Sequence, residues 1–448
     1  MKKRRASALL LGLCLLVGGL PACRSAETPS GSVPADGKGE TTMASTGIPE
    51  TTEAVQTTTG SDSTAFVTTA VTTRRTTVAS TAAATSATKQ TASTTMGTQS
   101  TATATETGRQ PGEPQTIALT DEHVKYIGRT NVTEQSAWMD WGGSGFELNV
   151  RGGQVRARLF AVDAGDANCA YISVEINGQR TQKIRLTGGS NWYTLADNLP
   201  EGKATNIRVL KLSEAQQGTA TLQGLEITGE TVAPNADKDR KIVWIGDSIT
   251  AGYGILAQPN DPFTCETEDA TLTYAWLVSE YLEAERHILA ASGYGVATSN
   301  SGSTTSGIFP PVYPYISLAR GTGEDQKWDY SAFEPDLVVV NLGTNDAAGG
   351  SNAATLRTGI RQFLTQLRTA HPRATIVWIY GFMIDQYAAD IRQEVEAFAQ
   401  TDDRVHYIQL TKIQGTAEIG GGGHPSAAAH ERLALSLGAE LQALMGWS

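Results

Sequence analysis

The segment Gly246-Asp247-Ser248-Ile249 carries a serine hydroxyl in a position from which it can attack a substrate. It directly follows the apolar run 241–245, which predicts a strand buried on both faces of a parallel sheet. Because ligands bind at the carboxyl ends of the strands in such sheets, Ser248 is predicted to stand at a binding edge. The segment alone does not decide the matter, since Asp and Ser also begin helices as ordinary N-caps.

Three further segments supply the other groups that acyl transfer to a serine requires. Gly293 and Asn345 each follow a short apolar run, and His424 follows four glycines at 420–423. A backbone N–H freed by a glycine turn and an asparagine amide can both donate hydrogen bonds to an oxyanion. A hydroxyl nucleophile also needs a base within hydrogen-bond reach, and histidine is the usual one. The four segments therefore occur in the order and settings that acyl transfer requires.

His424 is the candidate base among the six histidines because it alone lies in a glycine-rich loop ahead of a helix. The others fit structural or surface positions, and His430 is predicted to be an exposed residue of the last helix. Asp346 is predicted to be a turn and loop-orienting group rather than a catalytic acid. Asp247 is predicted to cap or orient the nucleophile turn.

This combination resembles the SGNH, or GDSL, hydrolases. Carried over by position, the resemblance implies that Ser248 is the nucleophile and His424 the base. It implies an oxyanion hole formed by Ser248, Gly293 and Asn345, with Gly295 as an alternative to Gly293, and it implies no cofactor.

The resemblance extends to family 2 of the carbohydrate esterases, which place a small β-sandwich before the SGNH domain. It covers roughly residues 120–448. The segments that carry it, besides the four above, are 211–218, 263–275 and 327–336.

One position departs from the SGNH pattern. These enzymes usually carry an Asp three residues before the His, and here that position is Gly421. A neutral imidazole still needs an acceptor on its other nitrogen to fix the tautomer. We expect a backbone carbonyl of the loop 419–422 to serve, which gives a Ser–His dyad, and we expect a Gly421→Asp substitution to be tolerated.

The predicted fold is a two-domain one, with an all-β jelly-roll-like sandwich at 116–232 and an α/β SGNH domain at 239–448. The first region alternates in short apolar runs, with a hairpin turn at Asn177-Gly178. The second alternates strands and helices, which predicts a flavodoxin-like sheet of five parallel strands in the order 2-1-3-4-5. Predicted strands are 241–245, 286–291, 336–342, 374–380 and 404–410, and predicted helices are 271–284, 353–370, 388–400 and 426–445.

Several aromatic residues have two interpretations. Tyr313 and Tyr315, in a Pro-rich segment, line an acyl or sugar pocket or simply pack the loop. Trp138, Trp141 and Trp192 form a sugar-stacking face or pack in the core and at the domain interface, which is the more common use of tryptophan.

The first 23 residues predict an export signal, with a basic start and an apolar core too short to span a membrane. The ending Leu20-Pro21-Ala22-Cys23 resembles a bacterial lipobox, which implies lipidation of Cys23; ordinary secretion is the alternative. Residues 24–115 are rich in Thr, Ser, Ala and Gly with few large apolar residues, so they are predicted to be a disordered linker.

The net charge and the cysteine content argue against binding of nucleic acid, a disulfide and a metal site. The net charge of −11 argues against nucleic acid. Cys169 and Cys265 fall in different predicted domains, which favours two separate thiols over a disulfide, and no spacing of Cys or His predicts a metal site.

The sequence therefore predicts a cell-surface lipoprotein that removes O-acetyl groups from a polysaccharide or oligosaccharide and contacts the membrane only through its lipid anchor. One alternative is a lipase or thioesterase of the GDSL type, which would need a long apolar groove. The other is a surface glycan-binding protein that no longer turns over its ligand.

Overall fold

The computed structural model describes residues 112–448. The predicted export signal 1–23 with Cys23, and all but the end of the predicted linker 24–115, lie outside the described residues. Within residues 112–448, no helix is both long and apolar enough to cross a membrane.

Eleven short strands at the start of the described region form two antiparallel sheets. They are β1 (Gln115–Ile117), β2 (Lys125–Ile127), β3 (Ala137–Trp138), β4 (Gly145–Arg151), β5 (Gly153–Ala161), β6 (Tyr171–Ile176), β7 (Gln179–Arg185), β8 (Gly189–Leu199), β9 (Thr205–Lys211), β10 (Ala220–Ile227) and β11 (Glu230–Val232). One sheet has the order β1-β10-β5-β8, with β3 beside β10, and the other has the order β11-β4-β9-β6-β7, with β2 beside β4. Apolar side chains from both sheets form one shared core, so the sandwich is confirmed.

The rest of the chain alternates strands and helices. The strands are β12 (Arg240–Gly246), β13 (Ala284–Ala290), β14 (Leu337–Asn341), β15 (Thr375–Tyr380) and β16 (Val405–Gln409). The helices are α1 (Ser248–Ala251), α2 (Tyr274–Tyr281), α3 (Thr344–Ala348), α4 (Ala353–Ala370), α5 (Ala388–Ala399) and α6 (Ala427–Met445).

The five strands β12–β16 form a parallel sheet in the order β13-β12-β14-β15-β16, as predicted. Alternate residues of β12 face opposite layers: Ile242 and Trp244 pack towards α2 and α6, whereas Val243 and Ile245 pack towards α4 and α5. Apolar burial on both faces holds the strand firmly. The residues that follow each strand therefore start from fixed positions along one edge of the sheet.

The two domains are joined by buried polar contacts. The guanidinium of Arg129, in the sandwich, donates to the carbonyls of Tyr313 and Tyr315 at 2.6 and 2.9 Å. The indole N–H of Trp141 donates to the Ile316 carbonyl at 2.7 Å. Because buried polar groups are costly unless they are paired, these contacts fix the loop 313–316 against the sandwich.

The predicted separate thiols are confirmed, and the structure brings them together at the same boundary. Cys169 of the sandwich and Cys265 of the α/β domain are both free and buried. The backbone N–H of Cys169 lies 3.3 Å from the sulfur of Cys265.

Candidate active site

Ser248 and His424 meet at the carboxyl end of the parallel sheet. Ser248 begins α1 directly after β12 ends, and His424 lies in the loop before α6. The two side chains are joined by a hydrogen bond of 2.8 Å between Ser248 Oγ and His424 Nε2. Only 6% of the Ser248 residue surface is exposed. This is the contact that a serine nucleophile and its base require.

Asp247 fixes the turn that presents the serine. Its carboxylate accepts from the Ile249 N–H at 3.0 Å, which caps α1, and from the Asn345 amide at 3.2 Å. The predicted capping role is therefore confirmed. Burial is the main cause that raises the Asp247 pKa to about 7. The side chain links the nucleophile turn to the segment after β14.

The imidazole of His424 packs against an aromatic ring. It lies against the ring of Tyr253, with ring centroids 4.6 Å apart, and Tyr253 in turn stacks on Phe263 at 4.1 Å. The Nδ1 atom of His424 has no hydrogen-bond partner among the described residues. Burial lowers the His424 pKa, while the backbone of Gly422 and Gly421 acts in the opposite direction by favouring the charged ring. This arrangement agrees with a dyad, and the identity of the group that accepts from Nδ1 stays a prediction.

The space beside Gly421 contradicts the expectation that an aspartate would be tolerated there. A Cβ atom added at Gly421 would lie 2.9 Å from the Cβ of Ala257, closer than packed carbons approach. The N–H of Gly421 also donates to the Gly254 carbonyl at 2.9 Å, so the loop cannot move away without losing that bond. A side chain at this position would displace the histidine loop.

Gly422 is the position from which an acid can reach the histidine. A Cβ atom there would lie 3.7 Å from His424 Nδ1 and 3.6 Å from Tyr253, both ordinary contacts. Its φ of +61° is in the left-handed region, which Asp and Asn tolerate best among residues with a side chain. A carboxylate on this Cβ is therefore placed to accept from Nδ1.

We expect Gly422→Asp to raise the pKa of His424 and to retain activity. The base acts when it is neutral, so activity falls as the pH drops through the pKa of His424. Burial lowers that pKa, so the acid limb of kcat/KM in the wild type should lie below 6.5, the ordinary histidine value. An added carboxylate favours the charged ring and should move the limb to higher pH. Gly422→Asn is the uncharged control, and an equal shift in both variants would contradict the assignment.

The backbone N–H groups of Ser248 and Gly293 are available as oxyanion donors. Neither forms a hydrogen bond with another group among residues 112–448. Gly293 has a φ of +81°, a conformation that glycine adopts without strain. The N–H of Gly295, by contrast, donates to the Gly307 carbonyl at 3.1 Å. These contacts favour Gly293 over Gly295 as the donor.

The amide nitrogen of Asn345, the third candidate donor, already forms two hydrogen bonds within the protein. Its amide nitrogen donates to the Tyr294 carbonyl at 2.9 Å as well as to Asp247. The neighbouring Asp346 accepts from three successive backbone N–H groups, at 296, 297 and 298, each at 2.8 Å. The predicted loop-orienting role of Asp346 is thus confirmed. Together these residues tie the segment after Gly293 to the segment after β14.

We expect Asn345→Ala to lower kcat by about 10²–10³, the usual loss on removal of one oxyanion donor. Asn352→Ala is the matched control, because Asn352 caps α4 by accepting from the Thr355 N–H at 2.9 Å and should change stability alone. Steady-state kinetics on an acetyl ester and thermal unfolding of both variants make the comparison. If Asn345→Ala loses less than about tenfold, Asn345 is a turn residue only.

The aromatic candidates of the sequence pack in the core, at the domain boundary or on the sandwich. Tyr313 is buried, and its hydroxyl bonds to His371 in the core, which matches the packing alternative. Tyr315 is half-buried, and its carbonyl accepts from Arg129 at the domain boundary. Trp141 also packs between the domains, whereas Trp192 is 37% exposed on the sandwich.

The prediction for His430 was wrong. This side chain is buried, and its Nδ1 atom accepts from the Tyr274 N–H at 3.1 Å. Burial lowers its pKa to about 3, so it remains neutral at physiological pH. Tyr253 and Phe263 were not predicted as site residues, although Tyr253 lies only five positions after Ser248.

A serine–histidine pair and free N–H donors at the edge of a flavodoxin-like sheet are typical of hydrolases of the GDSL class. Residues 244–432 match the GDSL-like lipase/acylhydrolase family. Residues 126–235 match the carbohydrate esterase 2 N-terminal domain. The chain thus combines a GDSL-like domain with a carbohydrate esterase 2 N-terminal domain, and in this it resembles family 2 of the carbohydrate esterases.

Two relatives and one solved structure are similar to most of this chain. An "acetylxylan esterase / glucomannan deacetylase" of Cellvibrio japonicus is 26% identical over 344 residues, which cover 74% of this chain and 92% of that protein. The "cellulase/esterase CelE" of Acetivibrio thermocellus is 27% identical over 316 residues, which cover 68% of this chain but only 38% of that longer protein. A family two carbohydrate esterase from Clostridium thermocellum, solved in complex with cellohexaose, superposes with a TM-score of 0.67 at 25% identity over 72% of this chain and 100% of that one.

Proposed function

We propose that this protein is a serine esterase that removes O-acetyl groups from polysaccharides or oligosaccharides of the xylan or mannan type. The observation that carries the proposal is the 2.8 Å bond between Ser248 Oγ and His424 Nε2 at the sheet edge. The names of the relatives support the carbohydrate acetyl ester as the substrate class.

The acylation step uses the pair directly. Ser248 Oγ attacks the acetyl carbonyl carbon while His424 Nε2 takes the hydroxyl proton. The carbonyl oxygen becomes an oxyanion that accepts from the N–H groups of Ser248 and Gly293, and the Asn345 amide turns from the Tyr294 carbonyl towards it. The intermediate then collapses, the bond to the sugar oxygen breaks, and Nε2 returns the proton to that oxygen. The acetyl group remains on Ser248.

Deacylation repeats the same steps with water. Nε2 takes a proton from a water molecule whose oxygen attacks the acetyl carbon. The second oxyanion is held by the same donors. Its collapse breaks the bond to Ser248 Oγ, which regains its proton from Nε2, and acetate leaves.

The cleft beside Gly293 favours a sugar over a long acyl chain. It has a volume of about 350 Å³, and its lining includes Gln216, Ser292, Asn300, Ser301 and Ser306. Hydroxyl and amide groups of this kind can pair with the hydroxyls of a pyranose ring. A lipase or thioesterase would need apolar walls for its acyl chain.

The decisive experiment measures acetate released from acetylated xylan, acetylated glucomannan and O-acetylated peptidoglycan, beside a long-chain ester. We expect release from xylan or glucomannan, little hydrolysis of the long-chain ester, and covalent labelling of Ser248 by an organophosphorus probe. A preference for the long chain would favour the lipase alternative. The absence of both turnover and labelling would favour the glycan-binding protein.

We also propose that the protein is exported and anchored to the bacterial cell surface through a lipid on Cys23. The signal-like residues 1–23 support this proposal, and the Thr- and Ser-rich linker 24–115 would hold the enzyme away from the membrane. Export suits an enzyme whose polymeric substrate cannot enter the cell. Detergent phase partitioning of the wild type and of Cys23→Ser tests the anchor: an equal distribution of both proteins would contradict it.

A further inference from the structure

A loop of the sandwich reaches the turn that carries the oxyanion donor. This loop, residues 213–217, follows β9 and ends in a single 3-10 turn, Ala215–Gln217. The carboxylate of Glu214 accepts from the backbone N–H of Ser292 at 2.6 Å. The side-chain amide of Gln216 donates to the backbone carbonyl of Ser292 at 2.8 Å. The loop 213–217 of the sandwich therefore binds both the N–H and the carbonyl of Ser292 in the α/β domain.

The bond from Gln216 acts on the oxyanion donor itself. The Ser292 carbonyl and the Gly293 N–H belong to the same planar peptide group, in which they point in opposite directions. Fixing the carbonyl against Gln216 thus sets the direction of the Gly293 N–H. Donation to a peptide carbonyl also polarises the peptide and strengthens its N–H as a donor.

The bond from Glu214 fixes the preceding peptide. On that side of the turn, the Ala291 N–H donates to the Gly246 carbonyl at 3.1 Å, at the end of β12. The oxyanion turn is therefore held between the strand that carries the nucleophile and the sandwich. A glycine at the centre of a turn has wide conformational freedom, so this external grip limits where its N–H can point.

Glu214 is itself rigidly held. It is 1% exposed, its backbone N–H donates to Glu268 at 3.0 Å, and its carbonyl accepts from Lys211 at 2.7 Å. Its carboxylate oxygen lies 3.3 Å from the Gln216 amide as well, so it orients both contacts to Ser292. A carboxylate so deeply buried is costly unless each of its bonds is made.

We propose that Glu214 and Gln216 are positioning residues for the oxyanion hole, so that the sandwich completes the active site of the hydrolase domain. The inference rests on the proposed function, because it takes the Gly293 N–H as an oxyanion donor. Neither side chain touches the reacting atoms, and both act through the Ser292 and Gly293 peptides.

The test compares Glu214→Ala, Glu214→Gln and Gln216→Ala in the otherwise intact protein, with 4-nitrophenyl acetate as substrate. We expect kcat to fall about 10- to 100-fold in Glu214→Ala, less than when a donor is removed outright, with KM changed less than about twofold. Gln216 is exposed and water can replace it, so about 3- to 10-fold is expected there. Glu214→Gln retains an oxygen that accepts from Ser292 and should recover most of the activity.

A second measurement distinguishes a loss of oxyanion stabilisation from a general loss of stability of the fold. A boronic acid forms an anionic tetrahedral adduct with a serine, so its Ki should rise in parallel with the loss of kcat/KM across the series. The control is Arg180→Ala, which removes another contact between the domains, a 2.6 Å bond to Asp269, without reaching Ser292. This variant should keep wild-type kcat.

The proposal is overturned by a folded Glu214→Ala with wild-type kcat, or by an Arg180→Ala that loses as much. Should Glu214→Ala fail to fold, Gln216→Ala decides the matter, because its side chain is exposed and its removal leaves the core intact. A wild type that neither turns over esters nor reacts with an organophosphorus probe would overturn the proposed function and this inference together. An active wild type with unaffected Glu214 and Gln216 variants overturns only the inference.

Discussion

Ser248→Ala is expected to lower esterase turnover by roughly 10⁶-fold, the size of loss that follows removal of a serine nucleophile from a hydrolase. The remaining groups can still bind the ester, but no oxygen is left to attack the acetyl carbon. The fold should persist, because the Ser248 side chain makes a single side-chain hydrogen bond among residues 112–448, to His424. Turnover of an acetyl ester and thermal unfolding of the purified variant are the two measurements.

Ser426→Ala is the matched control for this prediction. Ser426 lies two positions after His424, and its hydroxyl donates to the Ala417 carbonyl at 2.9 Å, away from the reacting atoms. It should keep wild-type kcat and label with an organophosphorus probe, whereas Ser248→Ala should not label. Near wild-type turnover in Ser248→Ala would show that another residue is the nucleophile.

The α/β fold was predictable because its signals are local. Short apolar runs mark all five strands β12–β16. The central strands β12, β14 and β15 are buried almost throughout, whereas the edge strands β13 and β16 also carry polar residues. The predicted helix 353–370 matches α4 at both ends because Asn352 caps its start and Pro372 follows its end. The placement of Ser248, Gly293 and Asn345 at one edge follows from the same logic, because each lies just past the end of a parallel strand.

The features that were missed depend on contacts between distant segments. Glu214 and Ser292 are 78 positions apart and lie in different domains, so no periodicity or spacing connects them. The burial of His430 depends on how α6 packs against α2, where the Tyr274 N–H requires an acceptor. The space around Gly421 depends on Gly254 and Ala257, in the loop after the nucleophile turn. Such contacts arise from packing, which a pattern along one segment does not encode.

His424→Ala should lower turnover nearly as much as the loss of Ser248, because the serine and the histidine of a serine protease act as one unit. The more informative comparison is with the carboxylates that a triad would need. Removing the acid of a triad costs about 10⁴-fold in kcat, because the histidine then takes the wrong tautomer. The candidates are Asp247, Asp346, Asp385 and Glu418, each changed to the matching amide.

None of these four carboxylates bonds to His424 in the structure. Glu418 pairs with Arg432, and Asp385 lies 3.2 Å from Lys412 on the surface, so both amide variants should keep close to wild-type kcat. Asp247→Asn and Asp346→Asn should show moderate losses, because these residues accept from N–H groups of the nucleophile turn and of the loop at 296–298.

The dyad thus predicts a wide gap between His424→Ala and every carboxylate variant, measured as kcat on one acetyl ester at a pH where His424 is neutral. The physical reason is that the ring packs against Tyr253, a contact that no carboxylate substitution removes. One amide variant as damaging as His424→Ala would instead identify a triad whose acid approaches Nδ1 only when substrate is bound. In that case Gly422→Asp, which supplies a carboxylate beside Nδ1, should restore activity to that variant, whereas Gly422→Asn should not.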